Sequence, residues 1–439
     1  MTIQKDTLPS ETLISSKKSW LPWLVWSGAG LFYFYQFILR ASPSYMAEEL
    51  MDSFKVHGLV LGIVGAFYYY AYAPMQIPLG IILDRFGPKR VLLGACFICI
   101  LGCLCFASAP NLTIACFGRL LMGAGSAGAW IGSIKLATIW FPAHRLGTVI
   151  GATMFLGTVG PFWGGPVLAD VVDYAGWRSS MFVLSGIGLG LLIFMFSTIR
   201  NHESENVPHA AHKTQAKVME NLKKILISGK VWLNAFYAML MYVPMAVFAD
   251  LWGVSFIQDL YHIDKSTSAR IVSYVFFGTG LGALVVSYFS DQVGSRRIPM
   301  FLGALGSLIV YILIIYMPGI SMTGMCFLTF FAGFFFSGQL MSFASAVEMV
   351  PISSSGVVVG FSNMIIMLSG VIFEPLVGWL LDFSRGRGQI NYNLEDVSLD
   401  TFSMVDWKFA LSSIVICLSL ALVFAYFVQE THVGRKKTT

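Results

Sequence analysis

An all-α integral membrane fold is the class this sequence predicts, with twelve transmembrane helices in two six-helix, pseudo-symmetric bundles. Three observations predict it. Of the 439 residues, 56% are hydrophobic and 12% are charged, against the ~25% charge of a soluble domain. Apolar stretches of about 18 or more residues recur along the chain, the length a helix needs to cross hydrocarbon. A short acidic-basic cluster also occurs twice, roughly 200 residues apart, which marks an internal repeat. Its copies read Gly80-Ile-Ile-Leu-Asp84-Arg85-Phe-Gly87-Pro-Lys89-Arg90 and Ser287-Tyr-Phe-Ser-Asp291-Gln-Val-Gly294-Ser-Arg296-Arg297.

Residues 1–20 are polar and mixed in charge. They lack the basic start, short apolar core and small-residue cleavage site of a removed signal, so the first span is expected to act as its own insertion signal. Spans are expected at 21–41, 58–82, 89–109, 112–138, 146–170 and 178–198 in the first half. The second half supplies 231–258, 268–289, 298–317, 321–346, 356–382 and 407–429. Residues 200–230, with His202, His209, His212 and several lysines, form the one long basic-polar linker. It separates bundles 21–199 and 231–429 and leaves a tail at 430–439. Pro74 and Pro78 fall inside the second span, where neighbouring helices absorb the lost backbone bond. Gly123, Gly125, Gly128 and Gly132 give the fourth span a small-residue packing face.

Most of the 28 Lys and Arg residues fall in the tails, the linker and the loops with Arg85, Arg145 and Arg296, so both termini are expected to be cytoplasmic. The expected location is a bacterial inner membrane. The longest outer loop, 384–406, carries Arg385, Arg387, Glu395, Asp396 and Asp400 and reads as a solvated connector or a partial lid. The net charge of +5 says little about nucleic acid, because the basic residues are scattered over loops, and no nucleic-acid partner is expected. All seven cysteines lie in apolar runs, and Cys96, Cys99 and Cys103 share a helix face as packing residues. The chain has no phosphate-binding Gly-x-x-x-x-Gly-Lys-Ser/Thr loop, paired metal ligands, nucleophile elbow or dinucleotide fingerprint. Direct use of ATP, a cofactor and enzymatic chemistry are not expected.

The chain resembles the major facilitator superfamily over nearly its whole length. Gly80 to Arg90 is similar to the family's loop motif between spans two and three, with Pro88 where a basic residue is common. Ser287 to Arg297 is its echo between spans eight and nine. Arg119-Leu-Leu-Met-Gly123-Ala-Gly125 resembles the fourth-span motif, and Gly160-Pro161-Phe-Trp-Gly164-Gly165 the Gly-Pro-x-x-Gly-Gly pattern of the fifth. Gly176-Trp177-Arg178 and Asp406-Trp407-Lys408 form a further half-to-half echo. The resemblance implies alternating access of a small-molecule substrate at a midplane site, coupled to an ion gradient, most simply protons, by a monomer in the bilayer.

The loop motif has the physics of a conformational latch. Asp84 stands at a helix end where it can pair with basic groups or accept from a facing helix N-terminus. Gly80 would allow close helix approach and Gly87 the sharp turn. Arg85, Lys89, Arg90, Asp291, Gly294, Arg296 and Arg297 complete the pair of latches, against the plainer reading of positive-inside anchors. Arg119, two turns into the fourth span, costs about 2.5–3.5 kcal/mol to insert, so it reads as functional unless it snorkels outward. By resemblance it contributes to proton coupling or binds an anionic group. Glu374, beside Pro375 in span eleven, is the candidate proton carrier, with Asp250 in span seven as a second. Arg40, at the end of span one, faces either an outer vestibule or water. Tyr35, Tyr68, Tyr72 and Gln76 are expected on a cavity wall, with Gln339 and Asn363 as counterparts in the second half. Gly160, Pro161, Gly164 and Gly165 are expected to pack helices.

Direction stays open. The fifth-span pattern resembles exporters that exchange substrate for protons. The Tyr-rich second span and Arg40-Ala-Ser-Pro43 resemble bacterial nutrient permeases, including phagosomal amino-acid transporters. Uptake of an amino acid or organic acid is therefore expected first and export of a drug-like or siderophore-like molecule second. A receptor that binds without transporting is the reading from another class.

Overall fold

Helix is the only regular structure among the described residues, which in this computed structural model are 20–200, 225–351, 354–386 and 402–431. The N-terminal tail, most of the expected linker, the centre of the 384–406 loop and most of the C-terminal tail lie outside them, as does the side chain of Asp84. Ten helices within this set are long and apolar enough to cross a membrane.

The first half runs α1 (Leu21–Ala41), a 3-10 turn (Ser42–Tyr45), α2 (Ala47–Phe54), α3 (Gly58–Phe86), α4 (Pro88–Ala107), α5 (Leu112–Trp140) and α6 (Ala143–Thr198). The second runs α7 (Gly229–Pro244), a π-helical stretch (Met245–Trp252), α8 (Gly253–Tyr261), α9 (Lys265–Val293) and α10 (Arg297–Tyr316). It continues through α11 (Met322–Phe336), a 3-10 turn (Ser337–Leu340), α12 (Met341–Glu348), α13 (Ser355–Ser384) and α14 (Met404–Phe427).

Sequence sets these boundaries. Asn111, Asp264, Ser321 and Ser403 accept a backbone N–H from the first turns of α5, α9, α11 and α14. The Thr267 backbone N–H at this cap holds the Asp264 carboxyl below its usual range. Gly87 and Gly294, the motif glycines, end α3 and α9 at φ 76° and 68°, a region that side chains with a Cβ rarely enter. The spans expected separately at 146–170 and 178–198 are joined in α6, whose backbone breaks only at Gly176 (φ 79°). Spans seven and ten, expected as plain helices, each contain an irregular stretch. Asp250 sits in the first and Gln339 in the second.

The echoed tryptophans do equivalent jobs. Trp177 Nε1 donates to Ser53 Oγ at 2.9 Å, and Trp407 Nε1 donates to Asp259 Oδ2 at 2.7 Å. The cysteine face packs as expected: Cys96 and Cys99 Sγ lie 3.7 and 3.6 Å from the carbonyls of Gly188 and Met122.

Two seams join the halves, α3 on α13 and α6 on α9. Their ends differ. At the end distal to the start of α1 and the end of α14, a Cβ on Gly58 would lie 2.9 Å from the Gly378 carbonyl, and one on Gly62 would lie 2.7 Å from Pro375 Cα. At Gly360 the nearest atom recedes to 3.6 Å, and around Gly80 and Gly356 nothing lies within 4 Å. The α3–α13 seam is thus tight distally and open at the end where α1 begins and α14 ends. Gly80 consequently serves no close helix approach in this conformation, contrary to expectation, because α3 has diverged from its neighbours there.

Within each half, some glycines permit contact with the backbone of a neighbouring helix. Gly123 of α5 abuts the Tyr68 carbonyl of α3, and Gly278 of α9 abuts the Phe330 carbonyl of α11. Gly160 and Gly164 of α6 face Phe34 and Ile38 of α1. Gly123→Val and Gly278→Val are each expected to cost about 1–3 kcal/mol through overpacking. Both should lower the melting temperature in detergent, whereas Gly186→Ala, with open space around it, should not.

Candidate functional site

Four charged side chains come together where α1, α3, α5, α13 and the π-helical stretch meet. Arg40, Arg119, Asp250 and Glu374 are all at most 6% exposed. Their formal charges sum to zero when both carboxyls are ionised. Burying charge in a protein interior is costly unless it is paired, and the cost here is shared by two cations and two anions.

Arg40 comes from the last turn of α1, and its Nε lies 2.9 Å from Asp250 Oδ2. The contact is an ion pair at short range rather than an aligned hydrogen bond, since Nε meets no acceptor along its N–H direction. The Phe37 ring lies 4.1 Å from the guanidinium carbon and Tyr242 lies 5.9 Å away, so aromatic faces replace water around the cation. Tyr69 Oη donates to the same Asp250 oxygen at 2.8 Å. Among the described residues, Asp250 Oδ1 and Arg40 Nη2 have no hydrogen-bond partners. The sequence offered Arg40 a vestibule or water. The structure gives it neither, because Asp250 of the other half supplies its counter-charge.

Arg119 does not snorkel. Its Nη1 donates to the Leu39 carbonyl at 2.8 Å, and Nη2 reaches the carbonyls of Arg40 at 3.3 Å and Gly65 at 3.4 Å. Leu39 and Arg40 lie in the final turn of α1, where carbonyls lack intrahelical donors and the helix dipole is negative. The guanidinium carbon lies 5.0 Å from the Tyr68 ring centre. Its Nε has no hydrogen-bond partner among the described residues.

Glu374 approaches from α13. Its carboxylate occupies the space that a Cβ on Gly65 would need, so glycine at 65 lets the acid approach the α3 backbone. Oε2 has no hydrogen-bond partner among the described residues, while the Glu374 carbonyl accepts Trp252 Nε1 at 3.3 Å. Arg119, Asp250 and Arg40 are its electrostatic neighbours. Gly65 therefore stands between Arg119, which bonds its carbonyl, and Glu374, which fills its side-chain space.

The tyrosines of α3 wall this group. Tyr68 Oη donates to Gln36 Oε1 at 2.9 Å, and the Tyr68 and Tyr72 rings stack at 5.7 Å. Nearer the open end, Asn363 Nδ2 donates to Gln76 Oε1 at 2.9 Å across the α3–α13 seam. Tyr35 lies apart: its hydroxyl donates to the Leu184 carbonyl at 2.9 Å within the first half. Gln339 is buried in its 3-10 turn. Gly165 lies against the Tyr45 hydroxyl.

The two loop clusters stand at the open end. Arg296 pairs with Asp291 at 2.7 Å and Glu348 at 3.2 Å, and Glu430 accepts its backbone N–H at 2.8 Å. Arg297 covers the Tyr426 ring. Lys89 Nζ donates to the Phe196 carbonyl at 3.0 Å, and Arg85 lies over Phe86. Among the described residues, each of these partners belongs to the same half as its cation.

Sequence reasoning passed over Lys265, which binds Glu49 and Asp173 across the distal α6–α9 seam, and Asp382 of α13. It also passed over Gln36 and Trp252. Asp382 carried a readable signal, an aspartate four residues after Gly378 as Asp84 is after Gly80. Lys265 carried none, since a lone lysine after an outer loop reads as solvated.

Because the ion pair is buried, removing one partner should cost far more than removing both. Arg40→Gln and Asp250→Asn are each expected to lose about 3–5 kcal/mol, and the double variant appreciably less than their sum. Thermal unfolding of all four proteins in detergent measures this coupling.

The sequence profile described as Major Facilitator Superfamily matches residues 25–269 and 250–439. A probable sulfoacetate transporter, SauU, of Cupriavidus necator is 26% identical over 298 residues, covering 63% of this chain and 69% of that protein. The probable galactarate/D-glucarate transporter GudP of Escherichia coli is 22% identical over 382 residues, covering 78% and 83%. The membrane sensor protein UhpC of Salmonella typhimurium is 26% identical over 398 residues, covering 81% and 83%. Among solved structures, a bacterial homologue of the human lysosomal transporter Spinster, inward-facing and occupied, superposes with a TM-score of 0.70 at 16% identity, covering 94% of this chain and 97% of that one.

Proposed function

The chain belongs to the Major Facilitator Superfamily of membrane transporters, and from that premise we propose that it imports a small organic acid together with protons by alternating access. In this reading twelve spans form two six-helix bundles in a bacterial inner membrane, with both termini cytoplasmic and the chain acting as a monomer. The open end then faces the cytoplasm.

One observation carries the reading: the buried group of Arg40, Arg119, Asp250 and Glu374 is balanced only when both acids are ionised. A proton on Glu374 would leave one positive charge uncompensated in a low-dielectric interior, and an anionic substrate would restore neutrality. Proton and anion would thus favour each other's presence, a coupling free energy that is reciprocal by thermodynamic necessity. Arg40 Nη2 and Arg119 Nε supply unused donors for the anion. The relatives support this class, since sulfoacetate and galactarate or D-glucarate, named for two of them, are anions. One proton moving through 100 mV supplies about 2.3 kcal/mol, enough for roughly fifty-fold accumulation.

Asp84, Arg85, Gly87, Lys89 and Arg90, with their second-half counterparts, serve in this reading as the cytoplasmic latch. In this reading it closes against the other half in the outward-facing conformation and opens when that end parts.

Proteoliposomes with an imposed inward pH gradient test the proposal against labelled D-glucarate, sulfoacetate, glutamate and glucose 6-phosphate. Wild-type uptake of at least one anion should collapse on dissipating the gradient. Glu374→Gln and Arg119→Gln should abolish gradient-driven accumulation while the protein stays folded. Unchanged accumulation in both variants would sink the assignment, and accumulation only in inverted vesicles would reverse the direction. The name of UhpC favours one other reading, a sensor. Saturable binding with neither uptake nor counterflow would establish it.

A further inference from the structure

The distal end of the α3–α13 seam is held by a bond that the proposed transport cycle leaves unused. Gly58 and Leu59, the first residues of α3, donate their backbone N–H groups to Asp382 Oδ1 and Oδ2 at 3.1 and 2.8 Å. Asp382 is the last acidic residue of α13 and only 3% exposed. Helices α5, α9, α11 and α14 are capped by the residue that precedes each of them. In α3, His57 stands at that position and makes no such bond. The cap is delivered instead from the opposite half, 324 residues along the chain.

The donor pattern is repeated in sequence. Gly378-Trp-Leu-Leu-Asp382, followed by Arg385 and Gly386, has the spacing of Gly80-Ile-Ile-Leu-Asp84. Gly386 ends its helix at φ 72°, much as Gly87 does at 76°. The helices α3 and α13 are antiparallel, so the two aspartates stand at opposite ends of one seam. Each lies at its own helix C-terminus, where the dipole disfavours an anion. Each also lies at the end where its partner helix begins, and there the exposed N–H groups favour one.

We propose that Asp382 is a distal lock. Its carboxylate caps α3 while the halves are closed at the distal end and lets go when they part, leaving water to satisfy the Gly58 and Leu59 amides. The seam then carries one carboxylate-to-helix lock at each end, and only one can be engaged at a time. Gly58 and Gly378 make the lock short: with their backbones in contact, the acid reaches two amides at once. Lys265, with Glu49 and Asp173, closes the other distal seam independently. This inference rests on the alternating-access reading.

Two spin-label pairs in the full-length protein, reconstituted with Cys105 and Cys326 replaced by serine, test it. Thr113 and Thr323, both exposed, report the distal end; Ser197 and Phe427, also exposed, report the other. Asp382→Asn keeps the shape but removes the charge. It should raise the ratio of distal-open to distal-closed molecules by about ten- to thirty-fold in pulsed electron resonance. Gly58→Ala, which pushes a methyl against the Gly378 carbonyl and Asp382, should shift it the same way and stands in should Asp382→Asn not fold. Wild-type distal distances in whichever variants fold, with the other pair still responding to pH or to D-glucarate, would overturn the lock and leave alternating access standing. A single distance at both ends under every condition would overturn both.

Discussion

Charge neutrality in a buried, largely apolar interior is the constraint on which this structure depends. Arg40 and Asp250 lie on different halves, and neither is tolerable in an apolar interior without the other. Their pairing therefore fixes where α1 ends and requires the π-helical stretch after Pro244 to present its carboxylate at that depth. A π turn adds a residue to the helical repeat and is a common local solution where a side chain must be re-aimed. Arg119 solves a related problem by spending its donors on carbonyls at the end of α1. It is structural in that it closes a helix terminus. It is also electrostatic, because it holds a positive charge across Gly65 from Glu374.

Glycine lets these charges meet. A Cβ at position 65 would occupy the place of the Glu374 carboxylate, and residues at Gly58, Gly62 and Gly378 with side chains would separate α3 from α13. The same two helices lose contact toward Gly80 and Gly356. A seam that is tight at one end and open at the other is a hinged contact, and the charged group lies on its closed side. Opening the distal end would move Asp250 and Glu374 relative to Arg40 and Arg119. The buried charges and the conformation are in that sense one problem: any change in the sum of the charges alters the cost of keeping the halves where they are.

Much of this was legible in the sequence because membrane insertion leaves strong signals. Apolar length located the helices, and the repeated Asp-x-x-Gly spacing located turns that the structure builds with positive φ at Gly87 and Gly294. Arg119, Asp250 and Glu374 were found by one rule, that charge inside an apolar run needs a reason. What stayed hidden was partnership. Nothing local to Arg40 says that its counter-ion lies 210 residues away, and its position at a span end made a watery setting equally reasonable. The irregular turns at Met245–Trp252 and Ser337–Leu340 leave no compositional mark beyond Pro244. Tyr35 shows the opposite error of emphasis: its hydroxyl suggested a cavity, yet a single backbone carbonyl of α6 satisfies it.

The antiparallel pairing of α3 with α13 explains why one short motif can recur at opposite ends of a membrane protein. Each helix ends in an aspartate that its own dipole repels and its partner's N-terminus attracts. At the distal end that attraction is satisfied by two amide donors within 3.1 Å of Asp382. At the other end the helices stand apart, with nothing within 4 Å of a Cβ built on Gly80 or Gly356. Satisfying both ends together would require two twisted helices to remain in contact along their full length, and the open glycines at positions 80 and 356 show that they do not. With the latch and the lock proposed above, the seam would choose between two caps of similar chemistry. Two nearly equal alternatives are what a switch needs if a single proton and a single anion are to tip it.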